Sequence, residues 1–260
     1  MRRIACARLI VAAPLAVLSL LPMKAGAAGV YENASAEPAF LLSPRRPTLS
    51  ADLDFSSNDP IEAAIYRVGA TFPLRKFFAV GLEQTFVSVS DTNQVKSGIG
   101  DLTIRSSARA WGGKQRALML LGTIATGVTN QEFFPYSSKT LDLTVSAAYV
   151  DTLGDVSAYA IGGRTWVNRS ETERPVDIQH SDNWRGSAGV GIGGGDVRAL
   201  GGTIYEYTSD HTERWMWYGA VSVIFTDAMV LRGGIQFETG AETQRVSDWA
   251  ANAGFTIRFQ

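Results

Sequence analysis

Two histidines and one cysteine leave this 260-residue chain few routes to catalysis. His180 stands in His180-Ser181-Asp182-Asn183, one residue away from the His-x-Ser-Asn spacing by which lipid hydrolases set an imidazole beside a hydroxyl nucleophile. Neighbours on a strand point to opposite faces, so His180 and Ser181 cannot share a hydrogen bond in regular β geometry. His211, in Ser209-Asp210-His211-Thr212-Glu213, reads as a solvated loop imidazole rather than a metal ligand. The run Gly191-Ile192-Gly193-Gly194-Gly195 closes a strand instead of opening a helix, so it does not cradle a phosphate. Cys6 falls within an export signal, which leaves the mature chain without a thiolate, a disulfide or a cysteine metal site. No enzyme, metal or cofactor is expected.

The remaining chemistry lies in charges that alternate with apolar residues. From Ser247 to Gln260 the alternation is unbroken. Trp249, Ala251, Ala253, Phe255, Ile257 and Phe259 share one parity; Asp248, Ala250, Asn252, Gly254, Thr256 and Arg258 share the other. A period of two puts these sets on opposite faces of a strand. One side meets lipid and the other water, as in a transmembrane β-barrel. Taking the apolar parity as lipid-facing throughout assigns Arg67, Glu83, Asp101, Arg105, Arg109 and Arg164 to the lumen, with Arg185, Arg198, Glu206, Arg232, Glu238 and Arg258. Asp52, Asp54, Asp142 and Asp248 join them. A charge facing hydrocarbon would cost about 2–4 kcal/mol at the midplane, so the charges support this orientation. They read either as ion pairs that brace the wall or as a lining that biases a path toward anionic or polar solutes.

The elements that must carry these residues are short strands. Alternating segments recur at 48–57, 61–72, 77–90, 98–111, 115–128, 140–151, 155–170, 181–194, 197–210, 214–226, 228–240 and 247–260. The expected fold is all-β: a transmembrane antiparallel up-and-down β-barrel of about 12 strands. Short connections such as Thr152-Leu153-Gly154 alternate with longer polar ones such as Thr129–Lys139, the turn-and-loop asymmetry of outer-membrane barrels. Phe77-Phe78-Ala79-Val80 and Leu118-Met119-Leu120-Leu121 are apolar on both parities, which leaves register open there and places apolar side chains inside. Trp184, Trp215, Trp217, Tyr205, Tyr207 and Trp249 sit toward strand ends as an interfacial girdle.

Arg2, Arg3 and Arg8, the apolar run Leu9–Leu21 and Ala25-Gly26-Ala27 read as a signal peptide over residues 1–27. Residues 28–47, with three prolines, form a periplasmic segment or short plug, and 48–260 form the barrel. A net charge of -1 argues against a nucleic-acid partner. Expected partners are outer-membrane lipids, the barrel-assembly machinery through the C-terminal strand, and a small-molecule solute.

The segment Gly98-Ile99-Gly100-Asp101-Leu102-Thr103-Ile104-Arg105 and the ending Gly254-Phe255-Thr256-Ile257-Arg258-Phe259 resemble the outer-membrane MetA-pathway of phenol degradation family, related to FadL-like transporters. The chain departs from that pattern in its terminal Gln260 and in lacking the long N-terminal hatch of fatty-acid channels. The resemblance implies passive uptake of small, hydrophobic or aromatic solutes across the cell outer membrane. Alternatives are a structural or assembly barrel with a plugged lumen and, last, a lipid-modifying enzyme.

Overall fold

In a computed structural model the described residues run from Arg46 to Phe259, apart from 59–60, 91–94, 113–114, 127–140, 168–182, 194–195, 209–212 and 240–248. The expected signal peptide, nearly all of the 28–47 segment, His180, Ser181, His211 and Asp248 lie outside them. Twelve strands form: β1 (Thr48–Asn58), β2 (Ile61–Arg75), β3 (Phe78–Ser90), β4 (Val95–Gly112), β5 (Arg116–Thr126), β6 (Leu141–Leu153), β7 (Val156–Val167), β8 (Asn183–Ile192), β9 (Val197–Thr208), β10 (Glu213–Thr226), β11 (Met229–Thr239) and β12 (Trp249–Arg258). Each pairs antiparallel with its sequence neighbours, and β1 pairs β12 to close the barrel. Closure leaves no strand edge with unmet N–H and C=O groups, which a hydrocarbon environment would penalise by several kcal/mol each.

The even strand count brings both chain ends to the side of the short turns, and Phe259 N–H donates to the Pro47 carbonyl there at 2.9 Å. At the β6–β7 turn Gly154 takes a left-handed φ of 61°, the conformation a tight connection needs and a Cβ disfavours.

Parity decides burial. Along β10, Trp215, Trp217, Val221 and Phe225 are exposed while Met216, Tyr218, Ala220 and Ser222 are buried. Adjacent Trp217 and Tyr218 are 56% and 6% accessible. Such a band of exposed apolar side chains around a closed sheet is a lipid-facing wall. Its aromatics gather at two levels. Tyr66, Phe86, Trp166, Trp184, Trp215, Trp217 and Phe237 stand toward the loop side, and Phe72, Phe77, Trp111, Phe225 and Phe259 toward the turns. Phe55 with Trp249 and Tyr205 with Trp215 stack across strands in the upper belt, their ring centroids 5.5 and 4.8 Å apart.

The segments with two-sided hydrophobicity acquire a definite register. In β5, Ala117 and Met119 are buried inside and Leu120 and Ile124 point out. Between β3 and β4 the pairing shifts from Gln84↔Leu102 to Phe86↔Ile99, a bulge that contains Gly100 and Asp101. The Gln84 amide donates to the carbonyls of Thr85 (2.9 Å) and Gly100 (3.1 Å), satisfying backbone that the bulge takes out of the ladder.

A lumen with a charged half and an apolar half

Inward side chains of β1–β4 and β11 form one ion network. Arg67 pairs with Asp54 at 2.8 Å and Arg105 with Glu83 at 2.7 Å. Arg232 reaches from β11 to Asp52 of β1, its Nε donating to Oδ1 at 2.7 Å, and a second nitrogen donates to Thr256 at 2.8 Å. Asp52 and Arg232 are both cross-strand partners of Gly254, so their pair spans the whole width of β12. A Cβ on Gly254 would stand 2.8 Å from the Ala51 carbonyl and collide with the Asp52 carboxylate. Glycine is therefore what lets the pair close.

A second cluster lies nearer the loops. Arg214, second residue of β10, donates to Glu206 at 2.9 Å and to both carboxylate oxygens of Glu238 at 2.7 and 2.8 Å. Arg185 of β8 approaches Glu206 at 3.5 Å. The Glu238 side chain is only 2% accessible. Bidentate pairing to a guanidinium is what makes so buried a carboxylate tolerable.

The other half of the lumen is apolar. Ala117, Met119, Ala148, Val150, Tyr159, Ile204, Met216 and Tyr218, from β5, β6, β7, β9 and β10, form one buried cluster with Leu121, Ile161 and Leu200 against it. Gly189 and Gly202 face each other across β8 and β9. Tyr159 is the cross-strand partner of Gly189, and Tyr218 that of Gly202. A Cβ on Gly189 would lie 2.6 Å from the Tyr159 hydroxyl, and one on Gly202 2.8 Å from that of Tyr218. The two phenol rings thus lie over a glycine floor and converge along the wall.

Of the residues read as lumenal from sequence, Arg67, Glu83, Arg105, Arg185, Glu206, Arg232 and Glu238 come together in the two clusters. Asp101 falls in the β3–β4 bulge. Arg109, Arg198 and Arg258 have inward parity near the turn end of β4, β9 and β12, apart from both clusters. Arg164 is placed otherwise. Its cross-strand partners are the exposed Val145 and Trp184, and its guanidinium carbon stands 5.1 and 5.2 Å from the ring centroids of Trp166 and Trp184. It faces the outside. The sequence reading put it inside because β7 reverses the usual pattern: Tyr159 and Ile161 point into the apolar half of the lumen, while Ala158, Ala160 and Gly162 face out.

Arg214 went unremarked in sequence. It shares the parity of Ala220 and Ser222, opposite the girdle residues Trp215 and Trp217. Among the described residues no group of three or more histidines, cysteines or carboxylates is placed to hold a metal.

No protein-family profile matches the chain, and no curated relative does. Solved structures share the fold. The COG4313 outer membrane channel from Pseudomonas putida F1 superposes with a TM-score of 0.67 at 14% identity, covering 90% of this chain and all of that one. The NanC porin gives 0.59 at 9% identity over 81% of this chain and 100% of its own. The KdgM porin, solved in complex with disordered oligogalacturonate, gives 0.56 at 9% identity over 81% and 99%. The architecture is that of an outer-membrane β-barrel.

Proposed function

We propose that this protein is an outer-membrane channel for passive uptake of small solutes that carry both an apolar, commonly aromatic, body and a polar or anionic group. The observation that carries this reading is the division of the lumen. Arg67 and Arg105 keep 36% and 35% of their side-chain surface accessible inside the barrel, so the charged half is wet. Opposite them stand Met119, Tyr159 and Tyr218, which pack into a buried apolar wall. A solute passing between the two halves exchanges hydration for an arginine on one side and for an apolar wall on the other. The channel structures that share this fold support a channel role, and the resemblance of Gly98–Arg105 and Gly254–Phe259 to a phenol-degradation outer-membrane family supports this class of solute.

Growth on small aromatic acids at limiting concentration, compared between a deletion strain and its parent, tests the reading. Slower growth that is restored by the wild-type gene supports it; equal growth and equal uptake across aromatic, aliphatic and sugar solutes contradicts it. A second reading is a structural barrel with a filled bore. Met119, at 0% accessibility, together with buried Ile204 and Met216, favours it, because these side chains occupy lumen volume. Liposomes loaded with the purified barrel separate the two: a filled bore leaves them impermeable to every small solute.

A further inference from the structure

The two ion clusters use their arginines in two ways. Arg232 donates through all three guanidinium nitrogens, to Asp52 and Thr256. Arg214 does the same, to Glu206, Glu238 and the Met216 thioether. Both are nearly buried. Arg67 and Arg105 each commit one nitrogen, Nη2, to Asp54 and to Glu83. Among the described residues no further hydrogen bond engages either guanidinium, so Nε and Nη1 stay uncommitted on inward-facing side chains that are about one-third accessible. Their carboxylate partners are less exposed, at 21% and 10%, so this wall offers guanidinium to the bore more than carboxylate. Arg67 is the cross-strand partner of Thr85 and Arg105 that of Gly81, four residues apart on β3 and about 14 Å along the strand. Each side chain leans toward the loops to reach its acid, so the spacing is kept.

We infer, resting on the open path proposed above, that Arg67 and Arg105 are two successive stations for a single carboxylate on the solute, and that they make the channel select monocarboxylates over dicarboxylates. A planar carboxylate takes two N–H donors from one guanidinium edge. Behind those edges the cluster holds three arginines and three carboxylates, so its formal charge is zero. One anionic group is therefore bound by local hydrogen bonds rather than by a net positive field. A second anionic group meets Asp52, Asp54 and Glu83 without a donor of its own, and a small aromatic dicarboxylate is too short to occupy both stations. A neutral cluster also releases the anion it takes, as conduction from station to station requires.

Reversal potentials in planar bilayers test this, with the sodium salts of terephthalate and of its monomethyl ester, which has similar length and one charge. The wild type is expected to pass the monoanion at least about tenfold better than the dianion, the worth of one hydrogen bond to a charged group. Two paired variants, Arg105→Gln with Glu83→Gln and Arg67→Gln with Asp54→Asn, keep the cluster neutral and strand no buried charge. Each pair is expected to lower the preference and the two together to remove it, whereas Arg116→Gln on the outer wall leaves it unchanged. Equal permeability of the two anions in the wild type, or an intact preference in the combined variant, overturns the stations. Saturation-transfer NMR of the monoester with the detergent-solubilised full barrel decides the matter where bilayers stay silent. Binding in the wild type that is lost in the combined variant upholds the stations and overturns the open path alone. Binding that is equal in both, or absent from the wild type, overturns the stations. Heat-modifiable mobility on gels confirms that each variant measured is folded.

Discussion

Asp52 of β1 and Arg232 of β11 are two strands apart, yet their side chains meet in the lumen because the residue between them, Gly254 of β12, has no side chain. The pair ties the first strand to the eleventh across the seam that closes the barrel. Neither partner is more than 18% accessible. Removing one partner strands a charge in the wall, which costs about 3 kcal/mol or more. Arg232→Met is therefore expected to lower barrel stability strongly, and Asp52→Asn in the same chain to recover most of the loss. Gly254→Ala is expected to resemble Arg232→Met, since its methyl group occupies the position of the Asp52 carboxylate. Urea titration of the folded, heat-modifiable form reads all three; additive losses in the double variant would show that the pair carries no coupling.

Adjacent residues of β12 test the orientation of the whole sheet. Ala253 pairs with Leu53 and Gly233 on the outer face, and Asn252 with Asp54 and Gly234 on the inner one. Ala253→Arg is expected to impair insertion by about 2–4 kcal/mol, and Asn252→Arg to be tolerated. The fraction recovered in heat-resistant form after refolding into vesicles measures it, and equal yields would contradict the assignment of faces.

Arg214 holds Glu206 and Glu238 together near the loop end of the lumen. Arg214→Ala leaves two carboxylates facing each other and is expected to destabilise by about 3–5 kcal/mol. Adding Glu206→Gln and Glu238→Gln is expected to restore most of that. Thermal unfolding followed by far-ultraviolet circular dichroism gives the comparison; a triple variant no more stable than the single one would show that Arg214 acts through packing alone.

Met119 and Leu120 are neighbours with opposite fates, the first fully buried in the lumen and the second half exposed to lipid. Met119→Ala is expected to cost about 2–5 kcal/mol in packing while widening the apolar half. Solute flux through it should rise, and Leu120→Ala should leave flux unchanged. Liposome swelling in a series of small aromatic and aliphatic solutes reads the difference, and an unchanged rate for Met119→Ala would remove the apolar cluster from the path.

Most of the strand plan was legible in the sequence because a membrane barrel imposes a period of two on every segment. The segment 197–210 became Val197–Thr208, and 61–72 became Ile61–Arg75. The rule that fails is the equation of apolar parity with lipid. It holds on β12, where the lumen side carries Asn252 and Thr256. It fails on β7, where Tyr159 and Ile161 line an apolar lumen wall and an outward arginine looks like an inward one. The Asp52–Arg232 pair was out of reach because only the closed topology makes Gly254 their common neighbour. Periodicity reports that two faces differ; which face is wet depends on what stands across the lumen.

The central claim is that the divided lumen is an open path for small solutes. Single-channel current in planar bilayers under a salt gradient tests it most directly. The account predicts uniform current steps with anion preference, and a lower preference when Arg109 and Arg198, which lie apart from the two ion clusters, are replaced with Glu. Folded protein that inserts but gives no steps, and whose liposomes admit no small aromatic solute, would contradict it.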